Sequence, residues 1–278
     1  MPDQDPALRH FRSAEQDREI LRHVPRTPQT LSPSYRLAFD DPDFLMRDEL
    51  RPVRLQLELM KPELIFQEQG VDSTVVVFGG ARIPAPGAKP VRTTDPELVK
   101  SLQKKARFYE EARAFASLVS EYSQSTGGRD WVICSGGGPG VMEAANRGAA
   151  DVGAKSVGLN IVLPHEQAPN AYVTPALSLQ FHYFAIRKMH FLMRAKALCV
   201  FPGGFGTLDE TFETLTLIQT GRAAPMPVLL FGEAFWRRII NFDALVAEGT
   251  IAPKDLELFE FVETAADGWD RIRRFYQL

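Results

Sequence analysis

The sequence predicts a doubly wound parallel α/β sheet flanked by helices, preceded by a mostly helical N-terminal extension. Two observations carry the fold. From Thr74 onward, short apolar runs alternate with helix-length amphipathic segments, the rhythm of βαβ units. Three of those runs end in glycine clusters: Thr74 to Phe78 in Gly79-Gly80-Ala81-Arg82, Trp131 to Cys134 in Ser135-Gly136-Gly137-Gly138-Pro139-Gly140, and Ala197 to Phe201 in Pro202-Gly203-Gly204-Phe205-Gly206. Glycine lets ligand and backbone approach closely. Three such ends together suggest one ligand cradle along the carboxyl edge of the sheet.

Taken in order, residues 1–70 are rich in Asp, Arg, Pro and Gln. They hold short helical patterns, such as Phe44 to Met60 interrupted by Pro52, but little that forms an independent core. This region reads as an extension, with its first thirty residues loosely held. Residues 71–278 read as the main α/β domain. Expected strands are Val75–Phe78, Trp131–Cys134, Ser156–Ile161, Ala197–Phe201, Pro227–Phe231 and Phe259–Val262. Expected helices are Pro96–Gln124, Pro139–Val152, Tyr183–Arg194, Gly206–Gln219, Glu233–Glu248 and Ala265–Phe275. The stretch from Ala81 to Thr94, with Pro84, Pro86, Gly87 and Pro90, is an irregular loop beside the cradle.

At 278 residues the chain is long enough to bury a full core. A net charge of −3, with no basic stripe, gives no electrostatic reason to expect a nucleic-acid partner. Cys134 and Cys199 end apolar runs and read as small buried hydrophobes, with no disulfide framework and no zinc spacing. The polar start, Met1-Pro2-Asp3-Gln4-Asp5, is not a signal peptide. No apolar stretch approaches the roughly twenty residues that span a bilayer. A cytoplasmic protein is the expectation.

Neither glycine-rich turn is a dinucleotide fingerprint. Gly136-Gly137-Gly138-Pro139-Gly140-Val141 does not fit G-x-G-x-x-G, and the next strand ends near Leu159-Asn160 without an acid for a ribose. No G-K-[ST] follows, which excludes a P-loop. What remains is a site for one phosphate on a mononucleotide, held by main-chain amides and a helix dipole.

Glu210 stands one turn into the following helix. Thr207-Leu208-Asp209-Glu210 also fits a capping box, but a cap needs no Gly-Gly-x-Gly before it, so the combination favours a ligand site. Asp209 reads as a helix-start charge. Glu143 is either a dipole-favoured carboxylate or a ligand contact. Arg187 and Lys188 lie on an otherwise apolar helix, as a solvated basic pair or as ligand contacts. His182 and His190, eight residues apart on one helical face, lack a third ligand, so no metal is expected.

In this order, Gly136 to Ala145, Arg187-Lys188 and Pro202 to Glu210 resemble the LONELY GUY (LOG) family, nucleoside 5′-monophosphate phosphoribohydrolases formerly labelled lysine decarboxylase-like. The resemblance covers roughly residues 72–275 and implies a Rossmann-like fold. It implies Arg187 and Glu210 as the catalytic pair. It implies Gly79, Gly80, Gly136, Gly137, Gly138, Gly140, Glu143, Lys188, Gly203, Gly204, Gly206 and Thr207 as substrate- and phosphate-binding residues. This chain has Phe184-Ala185-Ile186-Arg187-Lys188 where plant-type members carry Met-His-x-Arg-Lys. The base therefore stays open between adenine, as in AMP, and the modified adenine of a cytokinin riboside monophosphate.

The implied reaction cleaves the N-glycosidic bond with water, giving free base and ribose 5-phosphate through an oxocarbenium-like state. It needs no metal or redox cofactor. A pyridoxal-phosphate decarboxylase would need a Schiff-base lysine, and neither Lys188 nor Lys196 has a recognisable context for one. The alternative reading is a non-catalytic nucleotide sensor or carrier on the same fold. The resemblance also implies a homodimer or larger homo-oligomer. Phe181 to Met193 is either a dimer face or ordinary core.

Overall fold

The structure, a computed structural model, describes residues 11–91, 93–164 and 168–278. The chain divides into two compact units, Met1–Leu57 and Glu58–Leu278. In the first, α1 (Ala14–Leu21) opens with a reciprocal cap between Ser13 and Gln16. The Asp41 carboxylate caps α2 (Pro42–Leu45) by accepting from the amides of Asp43 and Phe44. Neither helix buries a residue. Of the stretch expected to be loosely held, residues 1–10 lie outside the described residues. Pro52 does not interrupt a helix. It is the second residue of α3 (Arg51–Glu68), where its missing N–H is one the first turn leaves unpaired anyway.

Among the described residues of the second unit, seven strands form one sheet: β1 (Thr74–Phe78), β2 (Val132–Ser135), β3 (Ser156–Ile161), β4 (Ser178–Phe181), β5 (Ala195–Val200), β6 (Val228–Phe231) and β7 (Glu260–Val262). Their spatial order is β4-β3-β2-β1-β5-β6-β7, and every pairing is parallel. The expected doubly wound sheet is therefore present. β1 lies between β2 and β5, so the three glycine-ended strands are immediate neighbours. The chain builds outward from β1 first to one side and then to the other, which makes their carboxyl ends the switch point where such sheets open a crevice.

The strands read as continuous apolar runs because both faces are covered. On one face Val75, Val77, Ile133, Cys199, Phe201 and Leu229 meet α5 (Arg107–Ser125), α6 (Val141–Asp151) and α11 (Ala265–Tyr276). On the other, Val76, Cys134, Leu198 and Val200 pack with Phe66 of α3, Phe191 of α7 (Phe184–Leu192) and Trp236 of α9 (Glu233–Ile239). Each such fully buried large side chain contributes about 1.5–3 kcal/mol. Cys134 and Cys199 are buried free thiols, as read from the sequence. At the amino end of β2, Trp131 packs edge-on to Trp269 and Tyr276. No helix among the described residues is long and apolar enough to cross a membrane.

Several boundaries differ from expectation. The single helix expected over 96–124 is two, α4 (Pro96–Gln103) and α5. Hydrogen bonds three residues apart through Lys105 and Ala106 break the ladder, and only after that break do eight residues become buried. The helix expected over 233–248 also splits, because Asn241 accepts from the Ala244 N–H and opens α10 (Phe242–Ala247) afresh. β4 was absent from the expected strands. It is a four-residue edge strand with Leu179 and Phe181 buried and Gln180 exposed. His182 precedes α7, so it does not share a helical face with the buried His190.

Candidate active site

At the switch point the ends of β1 and β5 are tied to each other by main-chain hydrogen bonds. The Phe201 N–H donates to Phe78 O at 2.8 Å and the Gly80 N–H to Pro202 O at 2.9 Å. Over them opens a cleft of about 300 Å³ lined by Phe78, Gly79, Gly80, Ala81, Gly136, Met142, Ile161, Leu163, Phe184, Arg187, Gly204, Gly206, Thr207, Asp209 and Glu210. Residues from both halves of the sheet thus converge on one space.

α8 (Phe205–Gln219) begins one residue earlier than expected, with Gly204 as its N-cap. Thr207 and Glu210 are consequently the third and sixth helical residues, and the capping-box reading fails. Thr207 is already inside the helix, and no side chain caps it. The first turn of any helix leaves its amides without intrahelical partners. Here a Cβ placed on Gly204 or Gly206 would meet nothing within 4 Å, and both glycines line the cleft.

Glu210 is 4 % exposed and its Oε2 has no hydrogen-bond partner among the described residues. Burial pushes its carboxyl up, Arg187 and then Lys188 pull it down, and Glu213 and Asp209 push it up again; the outcome is about 7. Arg187 is fixed from two sides. Its Nε donates to Leu159 O at 2.8 Å, and its guanidinium lies 5.0 Å from the centre of the Phe191 ring. A Cβ on Gly136 would come within 2.8 Å of Arg187 Nη2, so that glycine makes room for the cation. A buried carboxyl poised near neutrality beside a positioned guanidinium can exchange a proton and stabilise developing positive charge.

The upstream turn is built differently. Gly137 has a φ of +72°, and a side chain there would run into Asn160. Gly140, with a φ of +71°, backs onto Gly80 O. Asn170 donates from its side chain to Gly137 O and Gly138 O, both at 3.1 Å, and to Asn146 Oδ1. Of this turn only Gly136 lines the cleft; Gly137, Gly138 and Gly140 are packed beneath it. Glu143 accepts from Tyr109 Oη at 2.7 Å. Burial first, then Arg147 and Glu143 acting in opposite senses, leave the Tyr109 hydroxyl pushed up to about 12.

Lys188 does not line the cleft. Its Nζ bonds Asp209 at 3.0 Å and Glu213 at 2.9 Å. Burial lowers the ammonium, but the two carboxylates outweigh it and raise its pKa. Asp209, read from the sequence as a helix-start charge, lines the cleft and pairs with Lys188. Sequence reasoning also missed the apolar wall of Ile161, Leu163 and Phe184. Ile161 ends a strand and Phe184 starts a helix, which is the positional signal that could have found them. No lysine lines the cleft, so it does not fit a pyridoxal-phosphate Schiff base. Among the described residues no cluster of His, Cys, Asp and Glu has metal-site geometry.

The family model described as "Possible lysine decarboxylase" matches residues 142–272, a stretch that carries Arg187, Glu210 and the whole of α8. The chain is 26% identical over 139 residues to cytokinin riboside 5′-monophosphate phosphoribohydrolase LOG3 of Arabidopsis thaliana, covering 49% of this chain and 63% of that protein. It is 35% identical over 74 residues to probable cytokinin riboside 5′-monophosphate phosphoribohydrolase LOGL9 of Oryza sativa subsp. japonica, covering 26% of this chain and 33% of that protein. Over this stretch the chain is similar to the LOG family. The matched part of the chain spans less than two thirds of either relative. Among solved structures, the molybdenum cofactor carrier protein of Chlamydomonas reinhardtii is 16% identical, covering 74% of this chain and 99% of that one, with a TM-score of 0.45.

Proposed function

We propose that this chain hydrolyses the N-glycosidic bond of a purine nucleoside 5′-monophosphate, AMP or its cytokinin analogue, to free base and ribose 5-phosphate, as its similarity to the LOG family suggests. The observation that supports it best is Glu210: a buried carboxyl with an unpartnered oxygen, beside Arg187, one and a half turns beyond the open start of α8. The 5′-phosphate sits on the amides of Gly204 to Thr207, where the helix dipole favours an anion. The base stacks toward Ile161, Leu163 and Phe184. Gly79, Gly80 and Gly136 line the space in which the nucleotide sits.

In this reading the C1′–N bond breaks with its electron pair leaving on the base. Water adds to C1′, and its surplus proton passes through Glu210 to the base. The ionised carboxylate also stabilises the positive sugar, while Arg187 orients the substrate. Lys188 acts indirectly, holding Asp209 and Glu213 of α8 against α7. Binding of the remote phosphate helps position the sugar, so adenosine is a poor substrate beside AMP. The reading carries a cytoplasmic homo-oligomer with it, the exposed Phe184, Met189 and Met193 of α7 being the candidate contact face.

Chromatography of free adenine released from AMP tests the reading. Wild type releases adenine, whereas Glu210→Gln and Arg187→Ala each lose about 100-fold or more in rate. Tight AMP binding with no turnover by wild type would instead make the chain a nucleotide carrier.

A further inference from the structure

A second cavity, of about 550 Å³, lies against the same glycines as the cleft. It shares Gly80, Ala81, Gly204 and Gly206 with it, and is otherwise lined by Arg82, Ile83, Leu102, Lys105, Pro202, Gly203, Phe205 and Phe235. The two spaces therefore adjoin at the end of β1 and the start of α8. Their charge differs. The cleft carries Asp209 and Glu210 with Arg187, whereas the second cavity is lined by two cations and no carboxylate.

The surroundings deepen that imbalance. Lys105 is half-buried, and among the described residues its ammonium bonds Ser101, through O at 3.1 Å and Oγ at 2.9 Å. Burial, then Arg238, then Lys104 hold its pKa below the usual lysine value. None of Arg82, Lys104, Lys105 and Arg238 takes part in an ion pair among the described residues, although the neighbouring Arg107 and Arg237 are paired with Glu263 and Glu233. Like charges gathered at a concave surface without counter-charge raise the local concentration of anions.

We propose that this second cavity, with Lys105 and Arg82 as its ligating side chains, binds phosphoryl groups distinct from the phosphate held in the cleft. Two sources share that chemistry: the distal phosphate of a nucleoside 5′-diphosphate whose sugar occupies the cleft, and a separate phosphate-bearing molecule. The inference concerns binding and holds whether or not the cleft turns over its nucleotide.

Isothermal titration of inorganic pyrophosphate, AMP and ADP separates the cases, with Glu210→Gln present throughout to prevent turnover. Pyrophosphate binds, and the added pair Arg82→Ala and Lys105→Ala weakens it about tenfold or more while AMP affinity changes less than about twofold. ADP binding more tightly than AMP, by a factor that this pair abolishes, assigns the site to the distal phosphate. Pyrophosphate binding undiminished to AMP-saturated protein, with no ADP advantage, assigns it to a separate molecule. Pyrophosphate affinity that survives the Arg82 and Lys105 changes, or that Arg187→Ala abolishes instead, overturns the proposal. Failure of AMP to bind at all sinks the hydrolase reading but leaves the pyrophosphate result interpretable.

Discussion

The two glycine turns look alike in sequence, each joining a strand to a helix, yet they do opposite things. In the turn at 136–140 the space beside the glycines is filled by protein: Arg187 beside Gly136, Asn160 beside Gly137, Met142 beside Gly138 and the Gly80 carbonyl beside Gly140. In the turn at 202–206, Gly204 and Gly206 have nothing within 4 Å of where a side chain would stand. The first is a packing device that seats α6 and Arg187; the second leaves Gly204 and Gly206 open, although Gly203 is packed against Thr207. A glycine run therefore marks a site only when its empty side stays empty.

The largest test of that contrast is Gly137→Ala. It adds a side chain at a positive φ and against Asn160, and costs about 3 kcal/mol or more of folding stability, read as a lowered urea midpoint. Little change there would mean the upstream turn is as open as the downstream one.

Next comes the pH dependence contributed by Glu210, which lies under the open turn. Burial pushes its carboxyl from the ordinary 4.5 up to about 7, so the folded state holds the proton more tightly than the unfolded chain. Stability from this group is complete below about pH 4.5 and is lost as pH rises through about 7, by about 3 kcal/mol in all. The difference between wild type and Glu210→Gln in urea midpoints at pH 5 and pH 8 isolates it. Equal differences at both pH values would show that the carboxyl is not buried.

Asn170→Ala removes the side-chain bonds that hold the carbonyls of Gly137 and Gly138, and lowers stability by about 1–3 kcal/mol. AMP affinity falls with it only through the position of Gly136. The smallest expected stability change is that of Gly206→Ala. An alanine in the first turn of α8 meets no neighbour and is favoured in a helix by up to about 1 kcal/mol, so the midpoint holds or rises. AMP binding nevertheless weakens, because the new methyl stands where the phosphate approaches. A variant that is both less stable and unaltered in binding would reverse the roles of the two turns.

Much of the fold was legible because both-face burial writes parallel strands as plain apolar runs, as in Val75-Val76-Val77 and Leu198-Cys199-Val200. The adjacency of β2, β1 and β5 was foreshadowed by their common glycine endings. The break at Lys104 to Ala106 was not legible, since no glycine or proline marks it and the change is one of hydrogen-bond spacing. Edge strand β4 hid because only two of its four residues are buried. In the cleft, Glu210 was singled out by the glycine run before it, whereas Arg187 was left open by spacing and was picked out only by the family resemblance. Asp209 was misread because its role depends on where α8 starts, and an error of one residue in a helix boundary rotates a side chain by about 100°.

The aromatic cluster at the amino end of β2 has a practical corollary. Trp131, Trp236 and Trp269 are each buried to within 8 % of full enclosure, and none lines either cavity. Indole emission from this chain therefore reports whether the molecule is folded and is silent on occupancy, so one cuvette follows unfolding while a nucleotide titration is read by other means.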